Sequence, residues 1–351
     1  MICFFHRIWK RQAMVCIILH SMVSILWSQS GETQIESTLE EDVGLSTVYE
    51  VEIANNREDL RYSGLFRMII RLENDFGISI NPQNFPVIAI NFDTRIAPGL
   101  HTQIELLSTM AKILELRGFE KENLFFVTYR LETSLIKDFE NGLQGYRIIT
   151  SKSENYYHPE WFHESPMPSS IGDLAELLIK YPNDFETRKE MERKSNLPAC
   201  LFLGDTYWIN LATAKDDYYI GIDGAVTNAT LNACGNTQRF RKDNTMGPAA
   251  ASEILAIPEL WDKHLFSLID LSEIQIAGGP TFNSEFVRHQ SFLLLSKNPV
   301  FLDYHAMHRI CKLRRMAGLL DKNPDNFKLF TYAKELGLGD VSESRILKLP
   351  D

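Results

Sequence analysis

PVIAINFDTRIAPGLHTQIELLSTMAKILELRGFEKENLFFVTYR, residues 86–130, reads as strand, loop, helix, strand. PVIAIN (residues 86–91) is a short apolar run, and FDTRIAPG (92–99) is polar and turn-forming. In residues 100–118, Leu100, Ile104, Leu107, Ala111 and Leu114 recur at steps of 3 and 4, so one helical stripe faces a sheet. Gly118 suits the helix C-terminus. NLFFVTYR (123–130) is a second apolar run. This is a βαβ unit, and it predicts an α/β fold: a mostly parallel sheet flanked by helices and built from βαβ units.

In such sheets ligands bind beyond the carboxyl ends of the strands. Asn91 and Asp93 end the first strand, and Arg130 ends the second. His101 and Thr102 fall in the first turn of the predicted helix, whose free N–H groups suit an anion. A plainer reading of the same residues has Asp93 and Thr102 capping loop and helix, with Arg130 paired to Asp93 or Glu132.

Working outward, the chain has 351 residues, 44% of them hydrophobic, enough for a large core. Its 46 acids outnumber 36 bases, which argues against a general nucleic-acid binder. Residues 1–30 carry Arg7, Lys10 and Arg11, an apolar run at 13–27, and Ser28-Gln29-Ser30 before Gly31. That pattern predicts a cleaved signal peptide, export to the periplasm or medium, and no membrane span after cleavage. The competing readings are an uncleaved anchor and a true start at Met14. Residues 31–58 are polar and acidic and read as a linker, although Val48, Val51 and Ile53 would also suit a short edge strand. Residues 59–351 then form one domain, opened by a helix over residues 57–73.

Beyond the βαβ unit, residues 131–142 read as a helix and 146–150 as a third strand. His158 and His163 flank an aromatic loop, and ligand spacing is lacking elsewhere, so an ordered loop is favoured over a metal site. ACLFLGD (199–205) and YWINLA (207–212) read as buried strands, followed by Lys215-Asp216-Asp217 and a Gly- and Asn-rich segment at 221–236. LFSLIDL (265–271), with Asp270, and SFLLLS (291–296) read as further strands. Asn298-Pro299 opens a helix over 300–316, which carries Asp303, His305 and His308. Cys200, Cys234 and Cys311 are too far apart for a ferredoxin-type cluster or a zinc ribbon, and read as buried thiols. No hydrolase elbow, zinc-protease motif or phosphate-binding glycine loop is present.

Several segments, taken in order, resemble the domain-of-unknown-function 362 family of bacterial and archaeal proteins. They are VIAINFD (87–93), PGL (98–100), Arg130, INLATAKDD with GIDGAVTN (209–228), IDL with GGP (269–280), SKNPVFLDYHAMHRI (296–310) and YAKELGLG (332–339). The resemblance spans residues 59–349. The family's usual His, Lys and Asp are replaced by Asp217, Thr227 and Asn298. Some members carry fused iron–sulfur modules, which implies redox work, but the cysteines here give no such motif, and no cofactor is assigned.

Two readings of function follow. The first is an exported enzyme acting on a small anionic molecule, with Asn91, Asp93, Arg130, Asn210, Lys215, Asn228, Asp270 and Asp303 as ligand-binding candidates. The second is a binding or scaffold protein with a decayed site, favoured by the three replacements. The first requires the candidate residues to converge on one cleft.

Overall fold

A computed structural model describes residues 46–53, 58–96, 99–165 and 171–350. The strands, in chain order, are β1 (Thr47–Glu52), β2 (Val87–Phe92), β3 (Leu124–Thr128), β4 (Arg147–Thr150), β5 (Phe162–Glu164) and β6 (Lys194–Asn196). They continue with β7 (Thr206–Asp217), β8 (Gly221–Asp223), β9 (His264–Gln275), β10 (Val287–Arg288), β11 (Phe292–Ser296) and β12 (Arg345–Lys348). Ten of them form one sheet, along the path β12-β1-β11-β9-β7-β2-β3-β4 with β8 and β10 as side branches. β5 and β6 pair separately. From β4 across to β9 every neighbour is parallel. β11 runs antiparallel to both β9 and β1, and β12 is parallel to β1.

Strands covered on both faces need apolar side chains on both faces, hence their continuous apolar runs. Ile88, Ile90, Ile209 and Leu211 point into one core, closed by α1 (Glu58–Phe76), α2 (Ile104–Leu116) and α3 (Ile136–Gly142). α4 (Ile171–Lys180) and α5 (Phe185–Met191) contribute no described residue to either core, and α5 buries none. Ala89, Trp208 and Ile269 point into a second core. That core is closed by α6 (Ala225–Ala229), α7 (Met246–Leu255), α8 (Pro258–Asp262), α9 (Pro299–Met316) and α10 (Lys328–Glu335). The α/β reading therefore holds: a large, mostly parallel sheet flanked by helices. Among the described residues no helix is long and apolar enough to cross a membrane.

Several expectations change. The segment 31–58, read as a linker, contains β1, which sits inside the sheet rather than at its edge, between β11 and β12. Val48, Tyr49, Val51 and Ile53 are all buried there, so burial outweighs the acidic flanks. The signal-peptide reading at 1–30 lies outside the described residues. ACLFLGD forms a 3-10 turn, Ala199–Leu201, rather than a strand. Its apolar side chains pack on the second core without alternating, and Gly204 turns away at φ +65°. The helix expected from residue 100 starts at Ile104. Thr102 instead ties the loop shut: its N–H donates to the Asp93 carbonyl (2.8 Å), and its hydroxyl accepts from the Asp93 N–H (3.0 Å).

Candidate functional site

The candidate site begins with a polar row. Register places Asn91 beside Asn210, Asn210 beside Ser267 and Ser267 beside Ser296, across four adjacent strands of an otherwise apolar sheet. All four are buried. A buried amide is tolerated only when its partners are present. The Asn210 amide donates to the Ala225 carbonyl (2.9 Å) and the Ser267 hydroxyl (3.0 Å). Its side-chain oxygen accepts from Asn91 (3.2 Å) and Asn228 (2.8 Å). Asn91 also donates to the Asn228 carbonyl (3.1 Å), and His264 bonds Ser267 (2.9 Å). Burial, with Lys297 nearby, pushes the His264 imidazole down to about 3, so it is neutral.

The turn from β8 into α6 carries the next layer. Asp303, on α9, accepts from the N–H groups of Ala225 (2.5 Å) and Val226 (2.9 Å). Burial pushes its carboxyl up to about 8, against the lowering effect of those two amides. Gly224 is needed for this approach, since a Cβ there would lie 2.3 Å from Asp303 Oδ1.

Beyond it lies an ionic cluster at the carboxyl ends of β2 and β7. Asp223 receives the Lys215 ammonium and the Arg95 guanidinium (2.5 Å), with Arg241 at 3.8 Å. Its other oxygen accepts from Asn232 (2.9 Å) and Thr227. Asp93 lies 3.4 Å from Arg95, and Asp217 lies 3.6 Å from Arg241. Although burial opposes it, the Arg95, Lys215 and Arg241 charges hold Asp223 well below the usual carboxylate range. Burial lowers Lys215 and Arg241, and the facing carboxylates, Asp223 above all, oppose that shift. Two nitrogens of the Arg241 guanidinium, Nε and one terminal nitrogen, have no hydrogen-bond acceptor among the described residues. Asp217 also lines a groove of about 300 Å³ at the carboxyl end of β7, walled by Tyr218, Tyr219, Asn244, Lys322, Phe327 and Lys328.

The sequence candidates therefore divide. Asn91, Asn210 and Asn228 form one hydrogen-bonded group, and Asp93, Lys215 and Asp303 surround the adjoining turn. Arg130 is not among them. Its side chain is 67% exposed and pairs with Glu132 at 2.9 Å, the plainer of the two readings. Asp270 is not among them either. It faces Arg61 of α1 at 3.5 Å, on the other side of the sheet, and accepts from the Ser272 N–H. Asp270 is an odd number of residues beyond Ser267 in the unbroken pairing with β11, so strand alternation puts it on the face opposite the polar row. His163 pairs with Glu253 (2.8 Å). Among the described residues no group of His, Cys, Asp and Glu is placed to hold a metal.

Asp217, Thr227 and Asn298 all have local partners. Asp217 accepts from the N–H groups of Tyr219 and Ile220, Thr227 bonds Asp223, and Asn298 caps α9 through the Val300 N–H. Sequence reasoning missed Arg95, Asp223, Asn232 and Arg241. Asp223 had a signal, lying directly before a glycine in the Gly-rich segment, and Arg95 lies within the loop after β2. Arg241 had none, because its partners are distant in sequence.

No family model matches the chain, and no curated protein matches it. A crystal structure of a Thermotoga maritima protein, a Northeast Structural Genomics Consortium target, is similar over 76% of this chain and 60% of that one. The TM-score is 0.43 at 14% identity, and the chain spans less than two thirds of that protein's length.

Proposed function

We propose that the protein binds a small anionic molecule at the carboxyl end of β7, in the groove walled by Lys322 and Lys328. One observation carries the reading. Two lysines line the groove: Lys322, which also pairs with Asp216, and Lys328, which among the described residues hydrogen-bonds only the Thr245 hydroxyl (2.6 Å). Aromatic walls at Tyr218, Tyr219 and Phe327 supply apolar contact, and the lysines and asparagines supply orientation. The order of the motifs also supports divergent membership of the domain-of-unknown-function 362 family. The pattern at residues 1–30 supports export, which N-terminal sequencing of the secreted protein would check.

The test is isothermal titration of the purified protein with inorganic phosphate and with succinate. Binding should weaken about tenfold in Lys328→Ala, which removes one charge from the wall. If neither anion binds, the reading fails. The second reading, a scaffold with a closed site, then gains. It is favoured by the Asn210 amide, all of whose hydrogen-bonding positions are met by the protein itself.

A further inference from the structure

A second cavity lies at the opposite, amino-terminal ends of the strands. It measures about 370 Å³. Its lining includes Val87, Arg147 and Thr206, which open β2, β4 and β7, and Phe125, the second residue of β3. These four strands are neighbours in the sheet, so the cavity runs beneath one continuous edge. Loop residues Glu154 and Tyr157 and the turn around Cys200 close it.

The charges here are arranged differently from those elsewhere. Arg147 lies over the Phe125 ring, 4.8 Å from its centroid, and its side chain makes no ion pair or hydrogen bond among the described residues. Glu154 lines the same cavity and is likewise unpaired. The two carry opposite charges and line one cavity without pairing. The same cavity has apolar lining from Val87, Phe125, Ala199 and Leu203. A guanidinium matches a carboxylate with two parallel N–H donors, and a carboxylate pairs with an ammonium.

We propose that this cavity binds a small apolar amino acid, its carboxylate on Arg147, its ammonium on Glu154 and its side chain against Phe125 and Leu203. This site is separate from the groove at the carboxyl end of β7, since Thr206 and Asp217 are the two ends of that strand. Either can fail without the other.

Cys200 provides a built-in reporter. It lines the cavity and is partly exposed, whereas Cys234 and Cys311 are buried and serve as internal controls. The experiment titrates the protein with L-leucine, following heat and, in parallel, N-ethylmaleimide labelling of Cys200 by peptide mass spectrometry at alkaline pH. Leucine should bind and slow Cys200 labelling severalfold, leaving Cys234 and Cys311 unchanged. N-acetyl-leucine and leucinamide, each lacking one charge, should bind about tenfold more weakly. Arg147→Ala should abolish protection, Arg147→Lys should keep part of it, and Glu154→Gln should bring leucine and N-acetyl-leucine to equal affinity. Arg147 is exposed on an edge strand, so its variants are expected to fold, and a thermal melt checks this. The proposal is overturned if leucine and phenylalanine both give no heat and no protection. It is equally overturned if protection survives Arg147→Ala, or if removing either charge leaves affinity unchanged.

Discussion

Asn210 holds two donors and two acceptors in a place water does not reach, and its neighbours depend on it. Asn210→Ala should leave the Asn91 and Asn228 amides and the Ser267 hydroxyl short of a partner. We expect a loss of roughly 3 kcal/mol, read as a lower urea midpoint at unchanged slope. Asp223 is the corresponding residue for charge. Asp223→Asn should cost about 3–5 kcal/mol, because it strands buried cations. Replacing Lys215 as well, by Met, should recover part of that loss in a double-mutant cycle, because the uncompensated ammonium is gone. His264 sets a pH dependence. Its ordinary value of 6.5 falls to about 3 in the folded chain, so below 6.5 the unfolded chain takes up a proton that the folded chain refuses. Stability from this residue is complete above 6.5 and is lost as pH falls toward 3. The drop between pH 8 and pH 5 should therefore be about 2 kcal/mol smaller in His264→Gln than in the wild type.

At the scale of elements, the turn joining β8 to α6 brings two layers together. β8 is held to β7 by antiparallel pairing, with Asp223 opposite Lys215. The first amides of α6 are held to α9 by Asp303. Gly224 lies between them, where only a hydrogen fits. Gly224→Ala should cost about 1–3 kcal/mol through overpacking. Combining it with Asp303→Ser should cost less than the two separate losses together, because the shorter side chain makes room. Thermal melts of the three variants would show this. The alternation of β9 is the other deciding feature. Asp270 shares a face with Leu268, opposite Ser267 and Ile269, and so meets Arg61 on the α1 side.

For the whole molecule, the described residues belong to a compact unit spanning Val43–Asp351. Near its start, β1 pairs on both sides and, with Ile53 just after it, fills the core with Val48, Tyr49 and Val51. A chain beginning at Val43 should therefore fold as the full chain does. One beginning at Asp59 would lose that strand, uncover the edge of β11 and remove the partner of β12. It should aggregate or stay expanded on size-exclusion chromatography, as an exposed apolar edge would cause. Equal behaviour of the two chains would show that β1 is dispensable.

The sequence by itself determined the α/β class, because a sheet covered on both faces demands apolar runs, and an amphipathic crossover helix demands its own periodicity. It also located the asparagines of the polar row. Each is a polar residue within an apolar strand or at a glycine turn, a pattern that needs explaining wherever the chain goes. It did not determine that residues 47–52 enter the sheet, because six residues with acidic flanks carry too little local signal. Only the tertiary structure decided which charges meet. Arg95, Lys215, Asp223 and Arg241 come from four separate segments, and their pairing follows from strand order and register rather than from local spacing. Strand alternation likewise sent Asp270 across to Arg61, whereas Arg130 turned to its near neighbour Glu132, a pairing the sequence already offered. Strand order is set by which faces can be buried together, and that is a property of all the elements at once.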